Sequence, residues 1–151
     1  IANRALVCAA LASGESVISG VPNGNDTEAM IESLVLLGAC IERTDGNVIF
    51  RSGIDLDRNE PITLNARLAG TTARFLTAVC GLVSGPTLIT GENALLSRPM
   101  NDLHQAMLSL GISVEWRGEA GHLPVVIHRG VTTGSTVELP AAISSPFTSA
   151  L

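Results

Sequence analysis

The stretch Leu68-Ala69-Gly70-Thr71-Thr72-Ala73-Arg74-Phe75-Leu76 holds the residue types best suited to chemistry. A glycine and two hydroxyls stand immediately before residues 75–83, whose apolar positions fall at helical spacing, so the pattern predicts a helix opened by Thr71 or Thr72. Such an end is an anion site. Its first backbone N–H groups have no intrahelical partner and the macrodipole is positive there, so a phosphate or carboxylate is held without any cationic side chain. Gly70 lets that anion approach the backbone closely. An ordinary N-cap explains the same nine residues, and the rest of the chain decides between the two readings.

The elements that must position this stretch follow an ordered pattern. Residues 3–12 read as a helix, 15–21 alternate as a strand, and 26–37 form a second helix with Asp26 as its cap, Glu28 in its first turn and Gly38 as its stop. Residues 39–43 and 47–51 read as strands joined around Thr44-Asp45-Gly46-Asn47. The order then recurs: a helix over 71–83, a strand over 86–90, a helix over 101–110 closed by Gly111, and strands over 112–116 and 124–129. Met30, Leu34, Leu37 and Gly38 fall on Leu103, Met107, Leu110 and Gly111 at one constant offset, and Ala39-Cys40-Ile41-Glu42 falls on Ile112-Ser113-Val114-Glu115 at the same offset. A third unit begins at Thr136-Val137-Glu138-Leu139, with a helix from Ser144. A period this long is a copied supersecondary unit, helix–strand–helix–strand–strand, rather than a solenoid repeat.

The units must pack with their helices inside. Residues 5–11 and 75–83 are apolar nearly all round, which demands burial on every side. The strands instead alternate apolar residues with Ser, Thr, Glu and Arg, as in Ser16-Val17-Ile18-Ser19 and Val114-Glu115-Trp116-Arg117, so one sheet face is wet. The expected fold class is therefore α/β, with helices buried and sheets outside, in units of about 1–60, 61–131 and a truncated 132–151.

Composition narrows the function classes. With 46 % hydrophobic and 15 % charged residues, the 151 residues can bury one sizeable core. A net charge of −5 argues against a nucleic-acid groove or an anionic membrane surface, while a small anionic ligand remains open to a few local arginines. No apolar run reaches the length of a membrane span. Cys8, Cys40 and Cys80 lack metal-ligand spacing and sit in aliphatic runs, so they read as buried free thiols in a reducing compartment. His104, His122 and His128 share no metal spacing either and read as surface residues, and Trp116 as a sheet-face residue. Ile1 starts on a helical pattern without a cap and Leu151 stops inside an apolar run, so an internal piece of a longer protein is expected.

Five segments, in this order and spacing, carry a resemblance. Asn3-Arg4-Ala5-Leu6, Asn25-Asp26-Thr27-Glu28-Ala29-Met30, Ala69-Gly70-Thr71 with Arg74-Phe75-Leu76, Arg98-Pro99, and Ser144-Ser145 with Phe147 together resemble the 5-enolpyruvylshikimate-3-phosphate synthase family. The resemblance implies two globular domains, each an inside-out α/β prism of three copied units, of which this chain is most of one. It implies transfer of the enolpyruvyl group of phosphoenolpyruvate to the 5-hydroxyl of shikimate 3-phosphate, releasing phosphate, by a cytoplasmic, monomeric transferase with no metal or organic cofactor. This is a step of aromatic amino acid biosynthesis, and the family is inhibited by glyphosate at the phosphoenolpyruvate site.

Residue by residue, the resemblance assigns Arg4 to shikimate 3-phosphate, in a Lys-Ser-x-x-x-Arg motif whose first two members would precede Ile1. Gly70 and Arg98 match phosphoenolpyruvate contacts, and Ser144 and Ser145 match the serine pair on the shikimate phosphate. Thr71, Arg74, Asp26 and Pro146 are further possible members. Both substrates carry a phosphate and a carboxylate, for which guanidinium forks and helix-start hydroxyls are suited readers. The family's catalytic acids and lysine have no counterpart in these residues.

Two positions depart from the family pattern. Pro146 stands where glutamine usually follows the serine pair, and Leu68 where asparagine usually precedes Ala-Gly-Thr. Arg4 and Arg74 open equivalent helices, so a purely structural place suits either. One alternative is the sister transferase acting on UDP-N-acetylglucosamine, which shares Arg98-Pro99 and Asp102-Leu103-His104 but typically has a cysteine in the preceding loop, and 92–97 has none. The other is a non-catalytic, anion-binding copy of the fold.

Overall fold

The computed structural model describes residues 1–130, Val137 and 145–151. Helix α1 (Ala2–Leu11) leads to β1 (Ser16–Ser19), α2 (Asn25–Leu36), β2 (Cys40–Thr44) and β3 (Asn47–Ser52). Then come β4 (Ile62–Asn65), α3 (Gly70–Cys80), β5 (Thr87–Thr90), the short α4 (Asn93–Leu96), α5 (Asn101–Ser109), β6 (Ser113–Trp116), β7 (Val125–His128) and α6 (Ser145–Ala150). The start of a third unit expected at 136–139, and Ser144, lie outside the described residues.

The two sheets share a strand order. One has the order β1-β3-β2, all antiparallel, and the other β4-β5-β7-β6. Without β4, the second sheet repeats the first strand for strand. β4 was not expected: only Leu64 of its four residues is buried, and the alternation of Ile62-Thr63-Leu64-Asn65 is too short to stand out. It pairs in parallel with β5, Ile62 opposite Thr87 and Asn65 opposite Thr90. The one-turn α4 was likewise too short for a period to show.

The helix stops and the hairpin follow local chemistry. Gly38 and Gly111 adopt φ of +102° and +82°. In both cases the next two N–H groups turn back on the helix, Gly38 to Val35 and Ala39 to Leu34, Gly111 to Leu108 and Ile112 to Met107. This is the Schellman stop twice over, with Leu34 and Ala39, and Met107 and Ile112, all buried in the core. Asp45 and Gly46 both have positive φ, the two-residue turn that matches strand twist, and so place Thr44 opposite Asn47.

The helices form the interior. In α3, Thr72, Ala73, Phe75, Leu76, Thr77, Val79 and Cys80 are buried, and Thr77 donates to the carbonyl of Ala73 so that no hydroxyl is stranded. Leu6 of α1, Met30 and Leu34 of α2 and Phe50 of β3 join the same core. The outer faces stay wet: four of the five β2 residues are exposed.

Several expectations change. Helix α1 keeps Cys8 and Leu11 exposed, so its apolar girdle is only partly covered by α2 and α3. Cys40 is also exposed, on the wet face of β2, and only Cys80 is a buried thiol, pushed up to about 12 by burial. His104 is not a surface residue; it has no solvent exposure, because the first turn of α5 turns it inward to accept from the indole Nε1–H of Trp116 at 2.9 Å. Asp26 is not the cap of α2. Gly24 holds that place, and Thr27 donates back to the carbonyls of Gly24 and Pro22.

Candidate anion-binding site

Three helices begin at one end of the layer. The Asn3 carboxamide donates to Thr72 Oγ1 at 2.9 Å, and that hydroxyl donates to the backbone carbonyl of Asp26 at 2.9 Å. One buried chain of hydrogen bonds therefore laces the N-terminal turns of α1, α3 and α2. Positive dipole ends of three helices are gathered together, which raises the local potential in a protein whose net charge is negative. It also explains why Thr72 does not cap α3. The N-cap is Ala69 without a side-chain bond, and the Thr72 hydroxyl is spent on α2.

Gly70 is buried at the first position of α3. A methyl group placed on it would lie 2.9 Å from Nη1 of Arg74 and 2.9 Å from Nη1 of Arg98. Two guanidinium groups thus close on the helix start, one from α3 itself and one from the segment after α4. Arg74 is fixed by donating to the carbonyl of Gly70 at 3.0 Å. Burial first, and the charge of Arg98 second, hold the Arg74 guanidinium below the usual arginine range. Like charges brought together at a helix N-terminus are relieved by an anion, so the arrangement is suited to a phosphate or carboxylate.

Of the residues expected here, the structure brings together Gly70, Arg74 and Arg98, with Thr71 in the same turn. Arg4 is exposed at the start of α1, where its Nη2 donates to Ser149 Oγ of α6 at 2.6 Å. Ser145 is exposed at the first position of α6. Asp26 contributes its backbone carbonyl, a structural role. In the sequence Thr72 reads only as a helix opener and Asn3 only within a matched segment; their joint role was missed, although a polar residue on the buried face of an otherwise apolar helix is a visible signal. Arg67 and Glu32, which flank the site, carried no such signal. Among the described residues no group of three or more His, Cys, Asp or Glu is placed to hold a metal ion, and no helix is long and apolar enough to cross a membrane.

Comparison with known proteins bears on this geometry. The family model described as EPSP synthase (3-phosphoshikimate 1-carboxyvinyltransferase) matches residues 1–151. The 3-phosphoshikimate 1-carboxyvinyltransferase of Methanococcoides burtonii is 38 % identical over 151 residues, covering 99 % of this chain and 34 % of that protein. The protein of the same name from Deinococcus radiodurans is 39 % identical over 149 residues, covering 98 % and 33 %. A solved EPSP synthase from Acinetobacter baumannii superposes with a TM-score of 0.86 at 25 % identity, over 99 % of this chain and 34 % of that one. The chain spans about a third of the length of the curated relatives it matches.

Proposed function

The chain belongs to the EPSP synthase family, and from that premise we propose that it is part of a 3-phosphoshikimate 1-carboxyvinyltransferase, contributing one side of the substrate site. The expected inside-out α/β fold is that of the solved relative. The family and relatives carry the name of the shikimate-pathway enzyme and not that of the sister transferase acting on UDP-N-acetylglucosamine. Units of 1–60, 61–131 and 132–151 would then make up most of one of two domains.

The observation that carries the reading is the convergence of Arg74 and Arg98 on Gly70. Phosphoenolpyruvate would place an anionic group there, against the N–H groups of α3 and between the two guanidiniums. Arg4, Ser144 and Ser145 would take the phosphate of shikimate 3-phosphate. Holding both substrates in one orientation supplies the entropic part of catalysis, and fixed positive groups stabilise the charge moving onto the departing phosphate. Proton transfer would come from groups elsewhere in the longer protein. The partners are then small anionic metabolites, and three free thiols, two of them exposed, suit a reducing compartment such as the cytoplasm.

The test is release of phosphate from phosphoenolpyruvate by the longer protein in the presence of shikimate 3-phosphate. Turnover is expected from it, and none from the 151-residue chain alone. Binding of shikimate 3-phosphate without turnover by the longer protein would overturn the reading in favour of a non-catalytic copy, which Pro146 at the usual glutamine position would then explain.

A further inference from the structure

Arg67 sits three residues before Gly70 with φ of +54°, in the left-handed region that a side chain of this size seldom occupies. Such a conformation persists only where neighbouring contacts over-determine it. Here three do. The Arg67 N–H donates to Asn65 Oδ1 at 2.8 Å, its carbonyl accepts from the Glu92 N–H at 2.9 Å, and its Nη2 donates to both carboxylate oxygens of Glu32 at 2.7 Å each. The residue is therefore a junction between α2, the turn that leads into Gly70, and the segment that leads through α4 to Arg98. Gly91 shows how close that junction is: a methyl there would stand 2.7 Å from the Arg67 carbonyl.

We propose that Arg67, clamped by Glu32, is a positioning residue that sets the separation of Gly70 and Arg98 and thereby the affinity of the anion pocket. The inference rests on the reading of that pocket as the phosphoenolpyruvate side of the enzyme. Glu32 already occupies the Arg67 guanidinium, so Arg67 acts through the backbone rather than as a ligand. The pair is partly solvent-exposed, with side-chain exposures of 32 % and 57 %, and an ion pair of that kind adds little to stability. Its contribution is geometric, and geometry and stability can be measured separately.

The experiment compares wild type, Arg67→Gly, Glu32→Gln and the double variant in the longer protein. Glycine accepts the positive φ, so Arg67→Gly removes the clamp and spares the turn. Each single change is expected to raise the KM for phosphoenolpyruvate about tenfold, a displacement effect of roughly an ångström or less, and to leave the KM for shikimate 3-phosphate unaltered. The double variant should be no worse than the worse single, because both remove one interaction, and Arg67→Lys should fall between wild type and Arg67→Gly. Thermal stability should hardly move. Additive losses, equal losses for both substrates, or no loss would overturn the proposal. A lower KM in Glu32→Gln would also overturn it, since that would mean a released Arg67 binds the substrate itself. If wild type shows no turnover, the functional reading fails on its own. Positioning is then read from inorganic phosphate, by the titration of the Arg98 side-chain N–H resonance: weaker binding in Arg67→Gly supports the clamp, and unchanged binding overturns it.

Discussion

The carboxamide of Asn3 and the hydroxyl of Thr72, 69 positions apart, meet at 2.9 Å inside the helix layer, and the hydroxyl goes on to the carbonyl of Asp26. Thr72 is both acceptor and donor with no solvent exposure, so nothing but the protein can replace what it supplies. Thr72→Val keeps the shape and strands a buried donor on Asn3, while the Asp26 carbonyl, inside α2, loses only its second bond. A loss of about 2–3 kcal/mol is expected, because an orphaned buried group costs more than a hydrogen bond contributes. Urea denaturation checks this, and Thr72→Ser, which retains the hydroxyl, should lose markedly less.

Gly70→Ala separates folding from binding. The atoms the alanine methyl meets are side-chain ends, Nη1 of Arg74 and Nη1 of Arg98, and no backbone, so the guanidiniums must shift while the fold should keep its stability. The pocket should suffer. In the longer protein the inhibition constant of glyphosate should rise relative to the KM for phosphoenolpyruvate, by an overpacking cost of about 1–3 kcal/mol. A ratio that stays level would make Gly70 a helix-start glycine and nothing more.

Arg98→Lys tests the fork. An ammonium cannot reproduce a planar two-pronged contact, so phosphoenolpyruvate should bind more weakly while shikimate 3-phosphate is little affected. Steady-state KM values for both substrates decide it. Parallel losses would point to a disturbed fold instead.

His104 makes stability depend on pH. The Trp116 indole can only donate, so Nδ1 of His104 is the acceptor and the ring is neutral with its proton on Nε2. Burial, with His122 as the lesser cause, pushes this imidazole from its ordinary 6.5 down to about 4. Between those values the unfolded chain takes up a proton that the folded chain refuses, so the unfolded state binds more protons and stability falls as pH drops through that window. Stability is complete above about pH 6.5, and the loss approaches about 3 kcal/mol near pH 4 at 1.36 kcal/mol per decade. Denaturation curves at pH 7 and pH 4.5 should show that drop in wild type and a smaller one in His104→Gln. An equal drop in both would remove His104 as the cause.

What the sequence by itself determined is what local physics determines. Gly38 and Gly111 stop their helices because only a residue without Cβ is at ease at φ near +90°, and Asp45-Gly46 turns its hairpin for a similar reason. The constant offset between Met30-Leu34 and Leu103-Met107 marked matching helix faces, and all four side chains are buried. Gly70 was legible as part of a helix start because glycine and threonines before an apolar run have few other uses. Only the tertiary structure decided the rest. The convergence of Arg98 on Gly70, the lacing of Asn3 to Thr72, the clamp from Glu32 to Arg67 and the burial of His104 all join residues on different elements. No periodicity records such pairs, for their partners are set by how the sheets and helices stack. The same holds for the exposed thiols of Cys8 and Cys40: an aliphatic run predicts a strand or a helix, and the neighbours that element meets decide which of its faces is covered.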